Sequence, residues 1–178
     1  ERLLLISTGA RALPFSTALR SLQREMIRRD PAYQEGNYPL GEGPVMGMRL
    51  ARKLGMITYR SAEEWDQRFG RERIPEERKT DDCFAMDFEV ESYLEAHANK
   101  FTGQFDPNCY LYLSRAMDWF DVAEDYPDLP TALAGIQLKS ACVIGVETDI
   151  LFPAYQQKEI ADALRSNGID TSFANLES

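Results

Sequence analysis

The stretch Cys142-Val143-Ile144-Gly145-Val146-Glu147-Thr148-Asp149 sets a carboxylate just past a short apolar run. A lone carboxylate beside such a run is costly to bury unless a partner satisfies it. Asp149 is therefore either bonded to its own loop, as the cap of a turn, or poised against a cation. Spacing alone leaves both open. Cations are plentiful on two helical patterns: Arg20, Arg24 and Arg28 on the first, Arg49, Arg52 and Lys53 on the second. Most such side chains form solvated faces, yet one or two of them suffice to hold a small anion. Other chemistry is sparse. The single histidine, His97, rules out a multi-histidine metal site. Cys83, Cys109 and Cys142 are far apart and odd in number, so they read as reduced thiols, with neither a metal-ligand spacing nor a disulfide framework. No G-x-S-x-G turn, Walker loop or G-x-G-x-x-G loop occurs, and no serine pairs by pattern with a histidine.

The elements that position these residues alternate at both ends of the chain. Arg2 to Ser7 is a continuous apolar run that fits a buried parallel strand. Pro14 opens a helical pattern to Arg29, with Phe15, Leu19, Leu22, Met26 and Ile27 on one face. Asp30-Pro31 stops it, because a residue before proline avoids the helical region. Ala32 to Pro44 reads as loop. Val45 to Arg60 is helical, with Met48, Ala51, Leu54 and Met56 opposite the cations. Ser61-Ala62-Glu63-Glu64 is a capping-box pattern starting a short helix to Phe69, closed by Gly70. Arg71 to Asp82 is charged and predicted to be a mobile surface loop.

Phe88 to Phe105 is predicted helical, and so is Cys109 to Phe120, rich in aromatics (Tyr110, Tyr112, Trp119, Phe120) that fit a core or an interface. Thr131 to Ile136 is a turn or two of helix. The strand before Asp149 follows, then a helix from Pro153 to Gly168, with Pro at its start and Gly past its end. Thr171 to Leu176 is a last strand. Strand–helix, a long helical block and strand–helix–strand together imply one parallel sheet carrying a helical insertion over roughly residues 30 to 130.

The 178 residues carry 29 acids against 20 bases, a net charge of −9. That balance argues against a nucleic-acid surface, which needs a basic stripe. No apolar run approaches the length of a membrane span, and no signal-peptide pattern is present. A cytoplasmic location is expected. The chain starts without Met, so its natural start is expected upstream.

Several stretches, in order along the chain, together resemble one family. These are Asp30-Pro31 with Gly36-Asn37-Tyr38; Gly47-Met48-Arg49-Leu50-Ala51-Arg52-Lys53-Leu54-Gly55-Met56-Ile57-Thr58-Tyr59-Arg60; and Arg68-Phe69-Gly70-Arg71. Further on come Phe88-Glu89-Val90-Glu91-Ser92-Tyr93-Leu94, Lys100-Phe101, Phe105-Asp106, Asn108-Cys109-Tyr110-Leu111-Tyr112-Leu113 and Asp149-Ile150-Leu151-Phe152-Pro153. They resemble the homoserine O-acyltransferases of the α/β-hydrolase fold, a family that includes serine O-acetyl- and O-succinyltransferases.

The resemblance implies a partial parallel sheet of the α/β-hydrolase fold with a helical lid. Residues 1–29 would be core, 30–137 the lid that shapes the substrate tunnel and forms a homodimer contact, and 138–178 the return to the core. Asp149 falls on the acid of a Ser-His-Asp triad. Arg52 falls on the arginine that pairs with the amino acid's carboxylate, and Tyr59 would reach the same pocket. The nucleophilic serine would precede Glu1 and the histidine follow Ser178, since His97 does not match the triad histidine. The implied activity is ping-pong acyl transfer from acetyl-CoA or succinyl-CoA to L-homoserine or L-serine, in methionine or cysteine biosynthesis, with no bound cofactor or metal. Serine or homoserine, and acetyl or succinyl, stay open here. The alternatives are a non-catalytic lid or dimerisation module and a plain esterase.

Overall fold

The computed structural model describes residues 1–39 and 41–177. Leu40, in the predicted loop of residues 32 to 44, and Ser178, at the end of the predicted return to the core, lie outside the described residues. The described residues divide into two compact units, one of residues 1–17 and 115–178, the other of residues 18–114. The boundaries expected from the sequence were 29/30 and 137/138. The observed ones fall inside two helices, α1 (Pro14–Arg29) and α5 (Pro107–Trp119). A helix of three or four turns is long enough for its two ends to pack on different elements.

The first unit holds three parallel strands in the order β1-β2-β3: Arg2–Ile6, Ser140–Val146 and Asp170–Leu176. Two further helices belong to it, α6 (Leu129–Leu133) and α7 (Ala154–Ser166). Successive strand residues face opposite sides of a sheet. Leu3 and Leu5 of β1, Ala141 and Val143 of β2 and Phe173 of β3 turn toward Leu129, Leu133, Ile160, Ala161 and Leu164, and these side chains form the core. The opposite face is open among the described residues: Leu4 and Ile6 are 58% and 56% exposed. The parallel strand expected at the start of the chain is present as β1 and packs Leu3 and Leu5 on the core. Asp128 caps α6 by accepting from the Thr131 amide at 2.8 Å, so the helix starts two residues before the predicted Thr131. Gly168, at φ 76°, takes the left-handed turn that ends α7.

The second unit is helical. It comprises the C-terminal part of α1, then α2 (Val45–Ile57), α3 (Ala62–Phe69), α4 (Glu89–Phe101) and the N-terminal part of α5. Ile27 of α1 and Met48 and Ala51 of α2 form its core, with Tyr33, Phe101, Tyr110 and Leu111 packed around them. The buried face of α1 matches the predicted apolar stripe only in part: Ile27 is buried and Leu19 and Met26 are half-buried. Phe15 and Leu22 are exposed, while Gln23 is buried, because its Nε2 donates to the Ala51 carbonyl oxygen at 3.0 Å. A buried polar group with a partner costs little, and periodicity of apolar residues cannot reveal it.

The helix ends follow local chemistry. Asp30 accepts from the amides of Ala32 and Gly47 at 2.9 and 2.8 Å, which stops α1, opens a 3-10 turn at Pro31–Gly36 inside the predicted loop, and anchors α2. Ser61 accepts from the Glu64 amide to start α3. Glu91 accepts from the amides of Asp87 and Phe88 to start α4. That helix ends at Phe101, four residues short of the prediction. Thr102 Oγ1 donates back to the Ala98 carbonyl and Gly103 turns at φ 81°. The charged segment predicted as a mobile loop carries a 3-10 turn at Glu76–Arg78, buries Ile74 and bridges Arg73 to Phe88.

One glycine sets the α1–α2 approach. A Cβ on Gly47 would lie 2.5 Å from the Met26 carbonyl oxygen and 2.7 Å from Ile27 Cα. These are backbone atoms that cannot swing aside. Gly47→Ala is expected to cost about 2–3 kcal/mol by overpacking, read as a lower melting temperature. Gly135→Ala is the control, since a Cβ there meets nothing within 4 Å; it is expected to leave the melting temperature unchanged.

Candidate functional site

In the first unit, Asp149 sits in the loop between β2 and α7, past the carboxyl end of the strand. In open parallel sheets, ligands bind beyond that end of the strands. The half-buried carboxylate is oriented by its own loop. Its Oδ1 accepts from the amides of Leu151 and Phe152, both at 2.9 Å. The Asp149 amide in turn donates to the Val146 carbonyl, and Glu147's to that of Leu176. The loop is tied to the first turn of α1, where buried Ser16 donates its hydroxyl to the Leu151 carbonyl at 2.9 Å. Of the two readings of Asp149 left open by spacing, the hydrogen bonds are those of the turn cap. The carboxylate closes a turn with Oδ1, and no described residue donates to Oδ2, which stays available to an N–H from elsewhere. Sequence reasoning missed Ser16, and a single serine in a first helical turn carries no signal that would single it out.

Near this loop two glutamines of α7 are buried. Gln157 donates to the Thr8 carbonyl after β1, and Gly145 of β2 leaves room for its Oε1, which a Cβ would approach to 3.2 Å. These contacts join the ends of β1 and β2 to the start of α7.

In the second unit, α2 presents three cations, and they have different fates. Arg49 and Lys53, one turn apart, both pair with Glu95 of α4. Burial of Lys53 and the neighbouring Arg49 hold its pKa below the usual ammonium range. Arg52 lies between them in sequence and pairs with no carboxylate among the described residues. Its Nη1 donates to the Tyr59 hydroxyl at 3.2 Å. Its guanidinium carbon stands 5.5 Å from the centre of the Tyr59 ring and 4.7 Å from that of Phe101, and its Nε is buried without a partner. The two residues that the sequence analysis assigned to one pocket, Arg52 and Tyr59, are thus in direct contact. Tyr110 adds a half-buried phenol beside them. Burial, reinforced by Tyr59 and opposed by Arg52, Arg24 and Arg20, pushes its pKa up to about 12, so it stays neutral at physiological pH.

Elsewhere in this unit, His97 has a local role: its ring packs on Tyr93 with centroids 4.2 Å apart, and its Nδ1 lies 3.0 Å from the Tyr93 carbonyl oxygen. A cavity of about 170 Å³ is lined by Tyr38, Pro44, Met48 and Phe105 among others. Among the described residues, no three His, Cys, Asp or Glu side chains cluster as metal ligands. No helix among the described residues is long and apolar enough to cross a membrane.

No family model matches the chain. It is 58% identical over 174 residues to a serine O-succinyltransferase of Stenotrophomonas maltophilia, an alignment covering 97% of this chain and 47% of that protein. It is 54% identical over 184 residues to the serine O-succinyltransferase of Xanthomonas campestris pv. campestris, covering 97% of this chain and 48% of that one. The chain spans about half the length of the curated relatives it matches. Among solved structures, a homoserine O-acetyltransferase from Bacillus anthracis matches with a TM-score of 0.85 at 20% identity, over 100% of this chain and 47% of its own. The esterase E22 matches with a TM-score of 0.82, also at 20% identity, over 100% of this chain and 48% of its own. At such identity the structural matches speak for the fold, that of the α/β hydrolases.

Proposed function

We propose that this chain is part of a homoserine/serine O-acyltransferase and that the full-length protein transfers a succinyl group from succinyl-CoA to the side-chain hydroxyl of L-serine. The observation that carries the reading is Arg52: a partly buried guanidinium held by a phenol and two rings, with no acid to neutralise it among the described residues. Such a cation is suited to an incoming carboxylate, which it can bind through two parallel N–H bonds. A plain esterase has no need of it. Serine and succinyl are preferred over homoserine and acetyl because the relatives at 54–58% identity bear those names, whereas the homoserine O-acetyltransferase stands at 20%.

Asp149 takes the part of a triad acid in this reading. Its Oδ1 is committed to the Leu151 and Phe152 amides, so its Oδ2 receives the imidazole N–H of a histidine and stabilises the imidazolium. That histidine and the nucleophilic serine belong, in this proposal, to polypeptide outside these 178 residues. The serine, deprotonated by the histidine, attacks the thioester carbonyl and expels CoA. The substrate hydroxyl, deprotonated by the same histidine, then attacks the acyl-enzyme and releases the O-acyl amino acid. Homodimerisation is part of the proposal, supported by the exposure of Tyr112 (79%) and Leu113 on α5; so is a cytoplasmic location.

Mass spectrometry of products tests the reading. The full-length protein is offered serine and homoserine together, with succinyl-CoA or acetyl-CoA. O-succinylserine is expected as the main product. O-acetylhomoserine as the main product, or CoA release without any O-acyl amino acid, refutes it.

A further inference from the structure

Arg52 is half-buried yet lacks a counter-acid, and such a charge is stable only if something else offsets its lost hydration. Its two neighbouring cations on α2 have solved the same problem differently, by sharing Glu95. An arginine bonded to an acid must first break that pair to take a new carboxylate. One held by aromatic faces keeps its whole charge and its outward N–H groups free. We propose that Phe101 is a positioning residue for the amino-acid substrate: its ring clamps the Arg52 guanidinium in the orientation that receives the substrate carboxylate. The inference rests on the role given to Arg52 above.

Three features of the structure support the clamp. The Phe101 ring centre lies 4.7 Å from the guanidinium carbon, nearer than the Tyr59 ring at 5.5 Å, and within the range of a productive cation–π contact. Phe101 is the last residue of α4, and the break after it is enforced locally by Thr102 and Gly103. Its ring is also backed by Phe105, with centroids 6.0 Å apart and planes 21° apart, and Phe105 packs edge-on to Tyr110. The ring thus meets a second aromatic ring as well as the guanidinium.

The experiment compares Phe101→Leu, Phe101→Tyr and Arg52→Ala in the full-length enzyme, following the amino-acid half-reaction and acyl-enzyme formation from the acyl-CoA separately. Phe101→Leu keeps apolar volume and removes the π face. It is expected to raise the KM for the amino acid roughly 2- to 30-fold, the span of cation–π strengths, with acyl-enzyme formation unchanged. Phe101→Tyr, which keeps the face, is expected to stay within about 2-fold of the parent. In an Arg52→Ala background, Phe101→Leu is expected to add no further rise, which a merely structural role would not produce. If amino-acid use collapses in Arg52→Ala but is intact in Phe101→Leu, or if the Leu and Tyr variants behave alike, the clamp is overturned alone. If Arg52→Ala leaves amino-acid use intact, the role of Arg52 falls and the clamp with it.

Discussion

Replacing Asp149 by Asn in the full-length enzyme is expected to cut kcat by about 10⁴-fold, the loss that accompanies the same change in a serine-protease triad. The side chain keeps its size, and its carbonyl oxygen still accepts from the Leu151 and Phe152 amides, which now bind Oδ1 at 2.9 Å. The fold should therefore survive, and the melting temperature should move little. What changes is the other end of the group. Where Oδ2 accepts an N–H, the amide presents an N–H of its own, and an imidazole facing it must adopt the wrong tautomer. The charge that stabilises the imidazolium is lost as well. In the proposed mechanism both half-reactions use the same base, so acyl-enzyme formation and acyl transfer should fall together. A variant that acylates at the parent rate would show that Asp149 only closes its turn. Ser16→Ala provides a contrast, because it removes the tie to the Leu151 carbonyl without touching the carboxylate.

The strand–acid–helix order around Asp149 was legible because each sign is local. An apolar run, an acid, a proline and a periodic stripe lie within about two dozen residues, and the fold realises them as β2, the acid loop and α7. Helix starts were legible for the same reason: Ser61 and Pro14 act on their own first turns. The partners that matter at Arg52 were not. Glu95 satisfies Arg49 and Lys53 from another helix, and Phe101 reaches Arg52 from the end of that helix. No spacing within α2 could tell which of three cations would be left without an acid. The polar seam of α1 escaped for a related reason: Gln23 is buried on the strength of a carbonyl 28 residues further on. Arg52 and Tyr59 were singled out by the resemblance and not by periodicity, and the structure shows the two side chains in contact.

The contact between those two residues leads to the second large effect. In the proposed mechanism, Arg52→Ala removes the guanidinium that meets the substrate carboxylate. Truncating one partner of a desolvated, hydrogen-bonded charge pair costs about 2–4 kcal/mol, or roughly 30- to 1000-fold in kcat/KM for the amino acid. The loss should be confined to the second half-reaction, because the acyl donor has no claim on this arginine in the proposed mechanism. Arg52→Lys separates charge from shape: it keeps a cation but loses the planar fork and much of the stacking on Phe101 and Tyr59. It should therefore recover only part of the activity. Rapid-mixing measurement of CoA release, with and without serine, distinguishes the steps. A normal first burst followed by slow turnover that high serine partly restores is the expected pattern. A diminished burst would instead assign Arg52 to the acyl-CoA, and Glu95, which already holds the two flanking cations, would then have left free a charge meant for the donor's phosphates.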